Sequence, residues 1–157
     1  MINKSQKNDG MNLDNYVIIK RVVYEGGKIM ETVMIVNVIL TQDKFYLKGK
    51  ELGICMLPFT GTAEGPYFKG NILGEGTDTQ RIYPDGRMEL SARYMMEGTD
   101  YKGNFCRVFI ENNGSALDSC RPTIVTDSVD LQFLEEENLT AIVTPTKQGV
   151  EVRISRF

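Results

Sequence analysis

Short apolar segments alternate with turns along most of the chain, a pattern typical of an all-β protein. Helical periodicity is confined to residues 129–138, which is enough for one or two turns. Many short strands separated by glycine-containing turns indicate a sandwich or a barrel. We therefore predict a closed antiparallel β-barrel of about eight to ten strands, with at most one short helix. The candidate strands are residues 16–24, 29–40, 45–47, 52–59, 67–73, 77–83, 87–96, 104–111, 139–144 and 150–156.

The clearest local signal is the turn Pro84-Asp85-Gly86. Proline presets its own φ, and glycine supplies the left-handed residue of a three-residue hairpin loop. The turn places Tyr83 opposite Arg87 and so fixes the register of the two strands around it. The predicted cross-strand pairs are Ile82 with Met88, Arg81 with Glu89, Gln80 with Leu90, Thr79 with Ser91, and Asp78 with Ala92.

Two neighbouring turns extend this register. Gly74-Glu75-Gly76 predicts another hairpin, with Leu73 opposite Thr77, and puts the side chains of Phe68 and Ile72 on the buried face. On the other side, Cys106, Val108 and Ile110 join that face if Met96 lies near Asn104.

Strand parity separates a buried face from an exposed one, because successive side chains point to opposite sides of a sheet. Ile82, Leu90 and Tyr94 fall on the apolar face, and so do three polar residues: Asp78, Gln80 and Asn112. A buried carboxylate costs several kcal/mol unless it is hydrogen-bonded or paired. Asp78 therefore either caps loop amides at the end of its strand or belongs to a polar cluster at the mouth of a cavity.

These considerations give a set of candidate ligand-binding residues. Arg93 lies on the opposite face from the cluster and is included because its guanidinium is able to bind an anion. No catalytic residue is assigned. The candidates are Asp78, Gln80, Tyr94, Asn112 and Arg93.

Composition limits the functions that this chain can have. Its 157 residues carry a net charge of −3 and no histidine. The acidic balance disfavours nucleic-acid binding, which needs a basic surface. The lack of histidine excludes Ser-His-Asp and Cys-His catalysis and histidine-ligated metals. We predict neither a metal nor a cofactor.

The cysteines and the N-terminus indicate the compartment. Cys55, Cys106 and Cys120 are odd in number and widely spaced, which argues against a disulfide framework and favours a reducing compartment. Residues 1–13 read as a disordered leader without the apolar core of a signal peptide, followed by one domain over residues 14–157. The longest apolar-rich run, residues 29–40, is too short to cross a bilayer. We expect a cytoplasmic protein that does not associate with membranes.

Several motifs together resemble an uncharacterised bacterial family known only as a domain of unknown function, whose fold is similar to the allene oxide cyclase-like β-barrel. The resemblance covers roughly residues 33–157 and implies a barrel without implying an activity. It also matches Asp78, Arg93, Tyr94 and Asn112 to the family's motif positions. The sequence departs from the pattern at Thr60, at Glu75, and at Thr79, where the family has tryptophan. The motifs are 59–66 (FTGTAEGP), 74–78 (GEGTD), 84–86 (PDG), 90–94 (LSARY) and 110–114 (IENNG).

Three functions are compatible with these observations. The leading hypothesis is a barrel that binds a small molecule in its lumen or mouth. The alternatives are an enzyme of cyclase or isomerase type, with Asp78 as base and Tyr94 as acid, and a structural subunit of an oligomer. A homo-oligomer is predicted because Val33, Ile35 and Ile39 share one face of a strand whose other face is also apolar, and because Phe105 and Phe109 fall on an outward face.

Overall fold

The structure, a computed structural model, describes residues 23–25 and 28–157. The predicted leader and most of the first candidate strand lie outside the described residues. The described chain forms strands and one four-residue helix, α1, as the composition of short apolar runs predicts. The strands are β1 (Val23–Glu25), β2 (Lys28–Leu40), β3 (Phe45–Lys48), β4 (Gly53–Glu64), β5 (Phe68–Ile72), β6 (Gly76–Ile82), β7 (Met88–Asp100), β8 (Phe105–Gly114), β9 (Cys120–Thr126), β10 (Leu139–Pro145) and β11 (Gly149–Arg156), with α1 at Phe133–Glu136.

The sheet closes into an eight-stranded antiparallel barrel, which confirms the predicted fold class. β2 pairs with β11 on one side and with β4 on the other, and this completes the ring. β5 and β6 follow one another along the same position between β4 and β7. β1 extends from β2, and β3 extends from β4, so these two strands lie outside the ring.

The register predicted from the Pro84-Asp85-Gly86 turn is confirmed at every pair from Asp78 with Ala92 to Ile82 with Met88. The Tyr83 amide donates a hydrogen bond of 2.9 Å to the Arg87 carbonyl, and Gly86 adopts a φ of 88°. The Asp85 carboxylate accepts a 3.0 Å bond from the Arg87 amide. Local turn chemistry therefore sets the alignment of the two strands that carry most of the candidate site.

The hairpin predicted at Gly74-Glu75-Gly76 is wrong. The chain bends there without reversing, and both β5 and β6 pair with the 13-residue strand β7. The Leu73 amide donates to the Met95 carbonyl at 2.8 Å, which keeps the interrupted strand attached to β7. Phe68 and Ile72 are nevertheless buried, because the interruption adds two residues and preserves the parity.

The predicted pairing of Met96 with Asn104 is also wrong, since Met96 lies opposite Val108. β7 continues to Asp100, and a tight turn follows. The Asp100 carboxylate accepts bonds of 3.0 Å from the backbone amides of Lys102 and Asn104 and thereby holds this turn. The shift is even in number, so the β8 side chains predicted to be buried do face the core.

One half of the barrel is filled by apolar side chains. Met34, Val36, Met96 and Val108 are fully buried there. α1 and the segment before it cover this end, which we call the closed end, and they bury Leu131 and Leu134.

Several polar side chains at the closed end form one hydrogen-bonded network. The Tyr67 hydroxyl donates to Glu31 Oε1 at 2.7 Å, while Arg156 donates to Glu31 Oε2 at 3.0 Å and to Glu137 Oε1 at 2.8 Å. The Arg156 guanidinium also lies over the Phe133 ring, 5.1 Å from its centre. This network joins β2, β11 and the α1 segment.

Candidate functional site

The other half of the barrel contains an open cavity of about 150 Å³. One wall, formed by β2, β10 and β11, is apolar, with Val38, Val143 and Val152 among its residues. The opposite wall, formed by β6, β7 and β8, carries the polar groups. The cavity is therefore amphipathic, and its two chemical characters are on facing walls.

The polar wall is built from regular rows across adjacent strands. Asp78 on β6 lies opposite Ala92 on β7, and Ala92 lies opposite Asn112 on β8. Neighbouring strands are about 4.8 Å apart, so Ala92 separates the two polar residues by roughly 10 Å and leaves room above its methyl group. Tyr94 follows Ala92 on the same face, two residues deeper along β7. The structure thus brings Asp78, Gln80, Tyr94 and Asn112 to one cavity, while their role in binding a ligand stays a prediction.

Tyr94 marks the boundary between the cavity and the filled half. Its side chain is only 4% exposed, and its ring meets the Phe59 ring edge-on at a centroid distance of 5.4 Å. Gly76 permits this arrangement, because a Cβ there would lie 2.7 Å from both the Phe59 ring and the Tyr94 Cβ. Burial raises the pKa of the Tyr94 hydroxyl well above its usual value, so it is protonated at any physiological pH.

Two buried polar atoms on this wall have no hydrogen-bond partner within the described part of the chain. They are the Tyr94 hydroxyl and Asn112 Oδ1. Buried polar groups in proteins are almost always hydrogen-bonded, because an unsatisfied group costs about 1–3 kcal/mol. Here both unsatisfied residues line the same cavity.

Asp78 is half-buried at the mouth side of the wall. Burial raises the pKa of its carboxyl, and this effect exceeds the lowering by hydrogen bonds from Gln80 and from the Ser91 backbone. Gln80 Nε2 donates to Asp78 Oδ2 at 2.8 Å. The Asp78 carboxyl faces the cavity and accepts hydrogen bonds from Gln80 and from the backbone of Ser91 on β7. These partners lie on strands, so Asp78 does not act mainly as a cap of loop amides.

Arg93 is not part of this cavity. It lies on the outer face of β7, and its Nε is 3.1 Å from Glu111 Oε2 in an exposed ion pair. Strand parity is the reason, since Arg93 is flanked by the inward-facing Ala92 and Tyr94. The geometry therefore gives no support for Arg93 as a ligand-binding residue at the cavity.

Sequence reasoning missed two residues of the site. Cys120 lines the cavity beside the polar wall, and burial raises the pKa of its thiol. Ala92 lies between Asp78 and Asn112 and is the short side chain that keeps the wall open. The hairpin register already placed Ala92 opposite Asp78, so a small residue between two inward polar ones was the available signal.

The described residues contain no group of three or more His, Cys, Asp or Glu side chains arranged to hold a metal ion. No described helix has the length and apolar character needed to cross a membrane.

Comparisons with known proteins confirm the resemblance inferred from the motifs. Residues 43–116 match the model of a family described as a protein of unknown function (DUF3237). A UPF0311 protein of Clostridium acetobutylicum is 35% identical over 82 residues. That match covers 50% of this chain and 49% of the relative, so the chain spans about half the length of the curated protein.

Solved structures with the same fold come from several organisms. A protein of unknown function from Clostridium acetobutylicum superposes with a TM-score of 0.68 at 22% identity, covering 82% of this chain and 98% of that one. A β-barrel-like protein from Acinetobacter baumannii gives 0.67 at 17% identity over 81% and 94% of the two chains. An enzyme from Penicillium herquei gives 0.66 at 15% identity over 81% and 92%. At these identities the likeness shows the fold alone, and no specific activity follows from it.

Proposed function

We propose that this protein binds a small molecule in the open half of its barrel. The observation that carries the proposal is the pair of buried, unpartnered polar atoms on Tyr94 and Asn112, both at the wall of one cavity. A bound ligand would satisfy these atoms and recover the cost of burying them. Small-molecule sites have this general form, with an apolar lining and a few polar groups that orient the ligand.

The cavity argues against a purely structural role. A barrel that served only as a subunit would gain stability by filling its lumen, as this barrel does in its closed half. An apolar side chain in place of Ala92 would fill part of the open half, and phenylalanine in place of Tyr94 would remove an unsatisfied hydroxyl. Retaining both residues favours a cavity that is used.

Native mass spectrometry of the purified protein tests the proposal. We expect a small molecule to co-purify with the wild-type protein, and we expect Ala92→Leu, which occupies the space between Asp78 and Asn112, to lose it. Thr79→Val is the matched control, because Thr79 lies on the outer face of β6 next to Asp78 in sequence. A bound molecule retained equally by Ala92→Leu and the control would place binding elsewhere and contradict the proposal.

An enzyme of cyclase or isomerase type is a second candidate, favoured by the chemistry of Asp78 and Tyr94. The raised pKa of the Asp78 carboxyl makes it a stronger base than an ordinary aspartate. The raised pKa of Tyr94 makes it a weaker acid but keeps its hydroxyl protonated, so it is able to donate a hydrogen bond to an oxygen on which charge develops. Gln80 and Asn112 would orient the substrate. One structural neighbour is an enzyme, which is compatible with catalysis on this fold.

Hydrogen exchange separates the two candidates. If Asp78 removes a proton from the ligand and the proton is returned from solvent, the co-purified molecule should gain deuterium in D₂O. Asp78→Asn should bind the molecule without exchanging it. A ligand that gains no deuterium with the wild-type protein would leave binding without the proposed proton transfer.

We also propose a cytoplasmic location. All three cysteines are unpaired and buried, as expected for a protein that folds in a reducing compartment. Fractionation of cells expressing the tagged protein tests this location directly, and recovery in an oxidising compartment would contradict it.

A further inference from the structure

The chemistry of the polar wall restricts what the cavity is able to bind. We propose that the ligand is a small neutral molecule with an apolar body and one hydroxyl group, and that carboxylate-bearing molecules are excluded. This inference rests on the proposed function and adds the class of ligand.

The hydroxyl requirement follows from the two unpartnered atoms. Asn112 Oδ1 is only an acceptor, while the Tyr94 hydroxyl must donate its proton to be satisfied. A ligand hydroxyl is able to donate to Asn112 and accept from Tyr94 at the same time. A ketone, an ether or a carboxylate only accepts and would leave Asn112 Oδ1 unpaired.

Tyr94 and Asn112 are near neighbours on the cavity wall. Ala92 separates Asp78 from Asn112 in a single cross-strand row, and Tyr94 is the next residue on that face of β7. All three polar residues line the cavity together with Ala92, whose short side chain leaves space beside them. A ligand oxygen placed there has its carbon skeleton directed toward the apolar wall of β2, β10 and β11.

The charge requirement follows from Asp78. It is the one charged side chain among the described residues that line the cavity, and neither lysine nor arginine is among them. An anionic ligand would lie beside a partly desolvated carboxyl with no countercharge, which is unfavourable for both groups. Burial also raises the pKa of the Asp78 carboxyl, because it disfavours the charged form of that group.

The size of the cavity supports a compact ligand. A dry cavity of the same order, engineered in another protein, binds benzene. A single substituted six-membered ring therefore suits the 150 Å³ found here. This sets the scale of the probes and leaves the natural ligand free to extend through the mouth.

Two matched pairs of probes test the two requirements, with affinities measured by isothermal titration calorimetry at pH 8. Phenol and toluene have equal numbers of heavy atoms and differ in the hydroxyl. Benzamide and benzoate are close in shape and differ in charge, and the benzamide amide, like a hydroxyl, both donates and accepts. We expect phenol to bind about tenfold more tightly than toluene, since one well-formed buried hydrogen bond contributes about that factor. We expect benzamide to bind and benzoate to bind at least about tenfold more weakly.

Variants assign each preference to its residue. Tyr94→Phe should reduce phenol binding toward the level of toluene, with the bond to Asn112 left in place, and should not change the affinity for toluene. Asp78→Asn should raise benzoate binding toward that of benzamide. Thr79→Val on the outer face should alter neither pair, and far-UV circular dichroism verifies that each variant keeps its strands.

The outcomes distinguish this inference from the proposed function. Toluene binding as tightly as phenol, or benzoate as tightly as benzamide, would overturn the ligand class while leaving a binding cavity. Binding of all four probes unchanged in Ala92→Leu would overturn the cavity as the site, and the proposed function with it. Failure of every probe to bind at millimolar concentration would overturn the ligand class, while a co-purified molecule that Ala92→Leu loses would still support the proposed function.

Discussion

Replacing Tyr94 by phenylalanine should stabilise the ligand-free protein, which is unusual for a substitution in a barrel core. The ring stays in place against Phe59, so the only change is the loss of the hydroxyl. Tyr94 is 4% exposed, and its hydroxyl has no hydrogen-bond partner among the described atoms. Removing an unsatisfied buried hydroxyl should recover about 1–2 kcal/mol of the cost of burying it. For a protein of this size that gain raises Tm by roughly 2–8 °C.

The same substitution at Tyr67 provides a control with the opposite sign. The Tyr67 hydroxyl donates to Glu31 at 2.7 Å and accepts from Arg156 at 3.1 Å. Tyr67→Phe breaks both bonds and leaves a charged network incomplete, so it should destabilise the protein by about 1–3 kcal/mol. Both variants lose one oxygen atom from a tyrosine that packs edge-on against another aromatic ring.

Chemical denaturation of the wild-type protein and the two variants measures these free energies, with thermal unfolding as a second measurement. The reasoning requires opposite signs for the two variants. If Tyr94→Phe destabilises the ligand-free protein by more than about 1 kcal/mol, its hydroxyl makes a favourable bond, and the argument that it awaits a ligand is refuted. Ligand must be removed first, because a ligand bound to Tyr94 would stabilise the wild-type protein selectively.

Three further predictions concern other parts of the barrel. Asp78→Asn should raise the free energy of unfolding at pH 7. The folded-state pKa of Asp78 is raised, so its ionisation costs stability as pH increases above the unfolded value of 3.8. The gain should therefore vanish at or below about pH 3.8, and an equal gain at both pH values would contradict this cause. Gly98→Ala should destabilise the fold by about 3 kcal/mol or more and reduce soluble expression. The reason is that the alanine Cβ would lie 1.9 Å from the Lys69 carbonyl oxygen on the paired strand. Wild-type stability in this variant would mean that β5 and β7 separate easily. The predicted homo-oligomer should bury Ile39 and Phe105, which are 42% and 70% exposed in one chain, and a monomer mass by light scattering at micromolar concentration would reject it.

The parts of the fold that were predictable depend on local chemistry. Pro84-Asp85-Gly86 determines a loop length, the loop determines a register, and the register puts Asp78, Gln80 and Tyr94 on one face. None of these steps requires knowledge of distant residues. Three residues of the polar wall could therefore be read from one stretch of the sequence, while Asn112 depended on the parity of the next strand.

The errors lie where a strand's partner is chosen by distant residues. Gly74, with a φ of 56°, has the signature of a turn, yet the chain continues because β7 is long enough to pair with both β5 and β6. β9 was not predicted, since Pro122 and its polar neighbours obscure the alternation. Val33 was expected on an outward face but is fully buried, which weakens one argument for an oligomer while Ile39 stays exposed.

The two tyrosines of the lumen differ in their hydrogen bonding, and this contrast supports the function proposed for the open half. At the closed end, the Tyr67 hydroxyl has two partners, and the neighbouring core side chains are fully buried. At the open end, the hydroxyl of Tyr94 and the amide oxygen of Asn112 have none among the described residues. Within residues 28–157, a buried hydroxyl is unpaired at the closed end too, at Thr32 on β2, but Thr32 does not line the cavity, whereas Tyr94 and Asn112 share it. A more stable sequence would replace these two cavity side chains, and the proposed ligand would satisfy both of them.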